Sequence, residues 1–203
     1  PPSATIDIVG TAPQTRAFTA TRKSAAGTIS PATPAWSLDA FDIGKIGPSG
    51  VFTAYGNVGG VATITASEQG VTAVATVKVS LKAVHNDPPG NGSGGPVPEP
   101  DQKKLEEGEL SGGSPGGPSG KILYPYEGTM FARGLVSPEI MWDGGAAGDK
   151  VLVHLSEDYY DAKVFLTASA PGRFLLPAPV WAAATDSNRG EPLRVTITRM
   201  NAA

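Results

Sequence analysis

Between Val71 and Leu81 the residues Val71, Ala73, Ala75, Val77 and Val79 alternate with Thr72, Thr76, Lys78 and Ser80. A repeat of two over that length demands a strand with one buried face and leaves no helical stripe. The same alternation runs through Val61 to Ser67, and a shorter run spans Val51 to Ala54. The turn between them, Gly56 to Gly60, is rich in glycine, which tolerates positive φ. From Gly50 to Ser67 there is no His, Cys, acid or base. This stretch is predicted to build sheet and to carry no chemistry.

Further short runs flank it: Ile6 and Ile8, Arg16 to Thr21, Ala35 to Leu38, and Lys45-Ile46. Thr and Val crowd these runs, which disfavours helix. Short strands spaced about ten residues apart, separated by turn residues, point to a β-sandwich over residues 1–85. Residues 121–203 repeat the logic, with strand candidates at Ile122 to Tyr124, Glu139 to Trp142, Lys150 to Leu155, Lys163 to Thr167, Arg173 to Leu176 and Leu193 to Thr198. One short helical turn is expected at Val180 to Thr185, ended by Asn188 to Gly190.

Residues 86–120 separate these parts. They hold ten Gly and seven Pro, and only Val97, Leu105 and Leu110 are bulky and apolar. So little apolar surface does not offset ordering entropy, so the segment is predicted to be a disordered acidic linker. Within it, Lys103 to Leu110 offers at most a transient helical turn. Gly112 to Gly117 lacks the Gly-Lys-Ser/Thr ending of a phosphate cradle.

The totals exclude several classes. With no cysteine there is no disulfide, thiolate metal site or cysteine nucleophile. A net charge of −3 gives no case for a nucleic-acid partner. No apolar run approaches the roughly 18 residues of a membrane span, so direct membrane insertion is not expected. The Pro-Pro start suggests a processed or excised piece.

Phe18-Thr-Ala, Trp36-Ser, Ile46, Gly50 to Ala54, Gly59-Gly, Ala62 to Ala66, Gly70 and Ala75 to Val79 together resemble the bacterial immunoglobulin-like group 2 pattern over residues 4–81. That family occurs as repeats in intimin- and invasin-like adhesins, phage tail proteins and secreted bacterial proteins. Residues 39–45 depart from it, since the family often has a clearer strand there. The second part resembles a fibronectin type III or immunoglobulin-like unit, on Tyr124 to Gly128, Ser137 to Trp142 and Val151 to Leu155. The expected fold class is therefore all-β: two immunoglobulin-like β-sandwiches, 1–85 and 121–203, joined by a flexible Gly/Pro-rich linker. A fibronectin-like unit needs one strand beyond Leu193 to Thr198. The natural protein is thus expected to continue past Ala203, or a strand-exchange neighbour to supply the missing partner at Leu193–Thr198.

The richest polar cluster is Ser156 to Asp161, where Glu157, Asp158 and Asp161 stand with Tyr159 and Tyr160. Clustered oxygens suit Ca²⁺, and aromatic faces suit a sugar ring. The competing reading is a strand connection with one tyrosine folded onto the core. Glu157, Asp158, Tyr159, Tyr160, Asp161 and Trp181 are the ligand-binding candidates. No catalytic set is assigned: Asp39 and Asp42 lie in one turn, and His85 and His154 stand 69 residues apart in different parts. His154, opposite in phase to Val151, Val153 and Leu155, is expected to face solvent or a neighbouring edge. Trp36 and Trp142 are expected to anchor the two cores. No cofactor and no metal is implied.

These readings favour a non-enzymatic fragment of a bacterial surface or secreted protein, acting as spacer and binding modules toward a protein or glycan ligand. The alternatives are a carbohydrate-binding or accessory segment of a larger secreted enzyme, touching glycan through Tyr159, Tyr160 or Trp181, and a subunit assembled by strand exchange.

Overall fold

A computed structural model describes residues 2–86, 93–110, 121–169 and 172–202. They form two compact units, Pro1–Lys82 and Ala83–Ala203. The described strands fall in four sheets and are joined by two helices, so the fold is mixed α/β. That corrects the all-β expectation of two immunoglobulin-like sandwiches, and the physical reason lies in the second unit.

The first unit consists of β1 (Ser3–Val9), β2 (Gln14–Ala17), β3 (Thr21–Lys23), β4 (Ile29–Pro31), β5 (Ala35–Leu38), β6 (Gly44–Ile46), β7 (Val51–Ala54), β8 (Gly60–Glu68) and the body of β9 (Val71–Asn86). β8 pairs antiparallel with both β5 and β9, and β1 lies parallel to β9 with Ile6 opposite Val79 and Ile8 opposite Leu81. All four of those side chains are buried, together with Ala62, Ile64, Ala75 and Val77 from alternate positions of β8 and β9. The period-two pattern thus selects the buried face. β2, β7 and β6 make a separate three-stranded sheet around the buried Phe52, and β3 and β4 a separate hairpin. Gly50, at φ 78°, turns the chain where Trp36 lies over it; a Cβ there would stand 2.9 Å from Trp36 Cζ2. Trp36 itself is only half-buried.

The second unit holds α1 (Glu99–Leu110), β10 (Ile122–Tyr124), β11 (Glu139–Trp142), β12 (Lys150–Ser156), β13 (Tyr160–Thr167), β14 (Arg173–Leu175), α2 (Ala178–Ser187) and β15 (Arg194–Met200). β12 is the central strand, antiparallel to β13 on one side and β15 on the other. The run Leu193 to Thr198 therefore has its partner within the chain. β11 pairs with β10 and β14 in a small sheet, and Trp142 on β11 is buried as expected.

Val151, Leu152 and Val153 are consecutive and fully buried, as are Val164, Phe165 and Leu166. A sandwich sheet buries one face, whereas this one buries both. One face holds Val151, Val153, Leu155, Ala162, Val164 and Leu166, and α2 packs against β13. The other face holds Leu152 opposite Phe165, and His154 opposite Lys163 and Thr196. It is covered by α1, which the composition of residues 86–120 hides inside an expected linker.

α1 forms for local reasons. Proline sits in its first turn, where a missing N–H costs nothing. Glu99 and Asp101 complement the positive N-terminal end of the helix, and the Pro98 carbonyl accepts from the amides of Asp101 at 2.9 Å and Gln102 at 3.0 Å. Asp101, Leu105 and Glu109, four residues apart, share one face. Leu105 is 2% exposed and packs with Val97, Leu152 and Phe165, against which Met200 also lies. Around this contact Lys150 meets Asp101 at 2.5 Å, Lys163 meets Glu106 at 2.8 Å and His154 meets Glu109 at 2.8 Å. Gly108 permits the close approach to β15, since a Cβ there would lie 3.3 Å from Thr198 Cγ2. Two apolar side chains and three charge pairs thus order a segment too poor in apolar residues to look foldable. The rest of the expected linker, 87–92 and 111–120, including the rejected phosphate cradle, lies outside the described residues.

Candidate functional site

The second unit contains a cavity of about 1160 Å³. Its walls come from the segment after β10, from α2, and from the connection between α2 and β15. Tyr126, Met130, Phe131 and Arg133 line it from the first of these, Trp181 from α2, and Glu191 from the third. Phe131 and Trp181 meet edge to face with centroids 5.1 Å apart, a favourable quadrupole geometry. Trp181 Nε1 donates to the Leu135 carbonyl at 3.2 Å, tying the segment after β10 to α2. Tyr126 is 73% exposed and Met130 95% exposed, so the mouth presents apolar surface to solvent.

The polar end of the cavity is organised by Asn188, the residue that caps α2. Its Nδ2 donates to Glu157 Oε2 at 2.6 Å and to the Glu191 carbonyl at 2.7 Å, and its Oδ1 accepts from the Gly190 amide at 3.0 Å. Arg133 donates to the Asn188 carbonyl, and the Arg189 amide donates to Glu191 Oε2 at 2.9 Å. Oε1 of Glu157 and Oε1 of Glu191 are both buried without a hydrogen-bond partner. Burial pushes the Glu157 carboxyl up to about 7; the Asn188 hydrogen bond and Arg189 oppose this, while the charges of Glu191 and Asp158 add to it.

Of the residues singled out from the sequence, the cavity brings together Glu157 and Trp181. Trp181 is 5% exposed and stands edge to face with Phe131. Tyr160 is buried in the core, where burial, then the charges of Glu157 and Asp161, push its phenol up. Asp158 is exposed and Tyr159 half-buried. Asp161 lies on the α1 side of the sheet, 3.2 Å from His154 Nε2. The strand alternation therefore sends the carboxylates of Ser156 to Asp161 to different faces, and among the described residues no group of three or more His, Asp or Glu side chains gathers that could hold a metal ion. Asp39 serves a turn, its Oδ1 accepting the Thr63 amide at 2.6 Å.

His154 also differs from expectation. It is held between Glu109 and Asp161 under α1, with Thr196 donating to the same Glu109 oxygen. The Asp161 hydrogen bond raises its pKa, burial opposes that, and Glu109 adds to the rise. Sequence reasoning missed Asn188, Glu191, Tyr126 and Arg133 as wall residues. Asn188 to Gly190 carries a helix-stop signal, and that signal does mark the place where the chain turns back on the cavity.

Comparison with known protein families, with curated proteins and with solved structures finds no match to this chain. The two resemblances stated from the sequence rest on their residues alone.

Proposed function

We propose that the chain is a non-enzymatic recognition protein, secreted or presented at a bacterial surface, whose second unit takes a glycan in the cavity beside α2. The first unit acts as a spacer. The cavity carries this reading: it is large, mainly apolar, and has a few converging polar groups at one end, the usual make-up of a small-ligand site. Tyr126 supplies a flat, solvent-facing ring at the mouth, the surface on which the apolar face of a pyranose stacks. Arg133 and the Asn188 cluster supply polar contacts for hydroxyl groups. The surface or secreted setting draws on the resemblance of residues 4–81 to modules of adhesins and exported proteins.

A glycan-array screen of the full chain tests the proposal. The expected result is micromolar binding that Tyr126→Ala weakens about fivefold, since loss of a stacking ring costs on the order of 1 kcal/mol. Tyr126 is exposed, so the variant keeps the thermal unfolding of the parent. Absence of any glycan binding, or binding indifferent to Tyr126→Ala, refutes it. Conversion of a bound glycan by the chain alone refutes the non-enzymatic part.

A further inference from the structure

The C-terminal end of α1 is built against its own local preferences. Glu106, Glu107 and Glu109 stand where the helix end is itself negative, and no basic residue of the last turn offsets them. Gly108 between them weakens the helix further. The missing cations come from the sheet beneath. Lys163 meets Glu106 at 2.8 Å, and His154 Nδ1 meets Glu109 Oε1 at 2.8 Å. The second pair is sheltered, with 17% of the His154 side chain and 18% of the Glu109 side chain exposed.

His154 is held on both sides. Its Nε2 lies 3.2 Å from Asp161 Oδ2, so each ring nitrogen faces a carboxylate oxygen from a different element. A neutral imidazole has one N–H and satisfies one carboxylate, and its bare nitrogen then faces the other. Only the imidazolium donates to both. We propose that protonated His154 is the clasp that holds the C-terminal end of α1 on the sheet, and that this end loosens when His154 releases its proton to solvent. The earlier part of the helix stays seated through Leu105 and the Lys150–Asp101 pair.

The charged groups around the clasp are Glu106 and Glu109 from α1, Asp161 and Lys163 from β13, Arg194 from β15, set opposite Ser156, and Lys150 on β12 itself. Lys163 and Lys150 are each matched by a carboxylate of α1, which leaves Glu109 and Asp161 to favour the imidazolium. His154 is held above its ordinary value of 6.5, first by the Asp161 hydrogen bond, against burial, and then by Glu109. When the helix end lifts, Asp161 stays beside the ring and the Glu109 share is lost. Opening is therefore lowest just below pH 6.5, rises as pH climbs through the raised value of the closed form, and levels off above it.

Nitrogen NMR of the His154 ring, with hydrogen exchange of the Glu106 to Glu109 amides corrected for intrinsic rates, reads both parts on the full chain. Below the midpoint both ring nitrogens are expected to carry protons. Opening at the helix end is expected to rise with pH by about tenfold for each unit by which the parent's midpoint exceeds that of Glu109→Gln. Glu109→Gln keeps an acceptor beside the ring but no charge, so its helix end opens to a level that no longer follows pH. Lys163→Ala removes a cation but not the clasp, and keeps the parent's rise. A rise below about twofold in the parent, or an equal rise in Glu109→Gln, overturns the inference, and so does a ring with one protonated nitrogen at about pH 6.

Discussion

Replacing Leu105 by Ala tests whether α1 is a structural layer of the second unit or a passing feature of a tether. Leu105 is 2% exposed and fills the space between Leu152 and Phe165, with Val97 beside it. Truncation removes its contacts and leaves a cavity, which for buried leucine costs about 2–5 kcal/mol. The ion pairs around it lie on partly exposed side chains, 28% and 36% exposed for Lys163 and Glu106, so each contributes about 1 kcal/mol or less. Apolar contact therefore dominates docking, and Lys163→Ala serves as the comparison. In urea denaturation followed by circular dichroism, Leu105→Ala should lower stability by at least about 2 kcal/mol and Lys163→Ala by about 1 kcal/mol or less. Hydrogen exchange should show α1 amides protected in the parent and in Lys163→Ala but not in Leu105→Ala. A change below about 0.5 kcal/mol, the usual span for surface substitutions, with α1 amides unprotected in the parent, would refute the packing described.

His154 should titrate above its ordinary value of 6.5, because Asp161 and Glu109 both favour the imidazolium. Its contribution is fully present below pH 6.5 and is lost as pH rises through the raised value. Glu109 from α1, Asp161 and Lys163 from β13 and Thr196 from β15 are the groups around it. Proton NMR of the imidazole checks the direction, and Glu109→Gln should bring the midpoint down; a midpoint at or below 6.5 in the parent contradicts the geometry. Gly50→Ala should destabilise the first unit by roughly 2 kcal/mol or more, since it combines a left-handed φ of 78° with a Cβ driven against the Phe18 carbonyl and the Trp36 ring. Thermal unfolding measures it, and an unchanged midpoint would count against the turn.

What the sequence discloses and what it conceals divide along local and non-local lines. Val71 to Leu81 and Val61 to Ser67 could be read as strands because their periodicity is intrinsic to each run; of the five residues assigned to the inward face of the first, Ala75, Val77 and Val79 are buried, while Val71 and Ala73 at its start are exposed. Lys150 to Leu155 was equally legible as a strand, but its polar phase was not. His154 and Lys150 look solvent-facing until α1 supplies Glu109 and Asp101, which lie more than 40 residues earlier in the chain. The helix itself was hidden because composition averages over residues 86–120, whereas one buried leucine in a four-residue stripe decides its docking. The cavity shows the same divide. Glu157 and Trp181 drew notice by residue type. Asn188, Glu191 and Tyr126 acquire meaning only when the turn after α2 and the segment after β10 meet around the cavity.

The most direct test of the central claim is a heteronuclear NMR titration of the full chain with a glycan found on the array. Binding at the proposed site predicts shifts concentrated at Tyr126, Phe131, Trp181 and Asn188 to Glu191, with the α1 amides undisturbed. Shifts confined to the first unit, or to α1 and the face of β12 beneath it, would contradict the account.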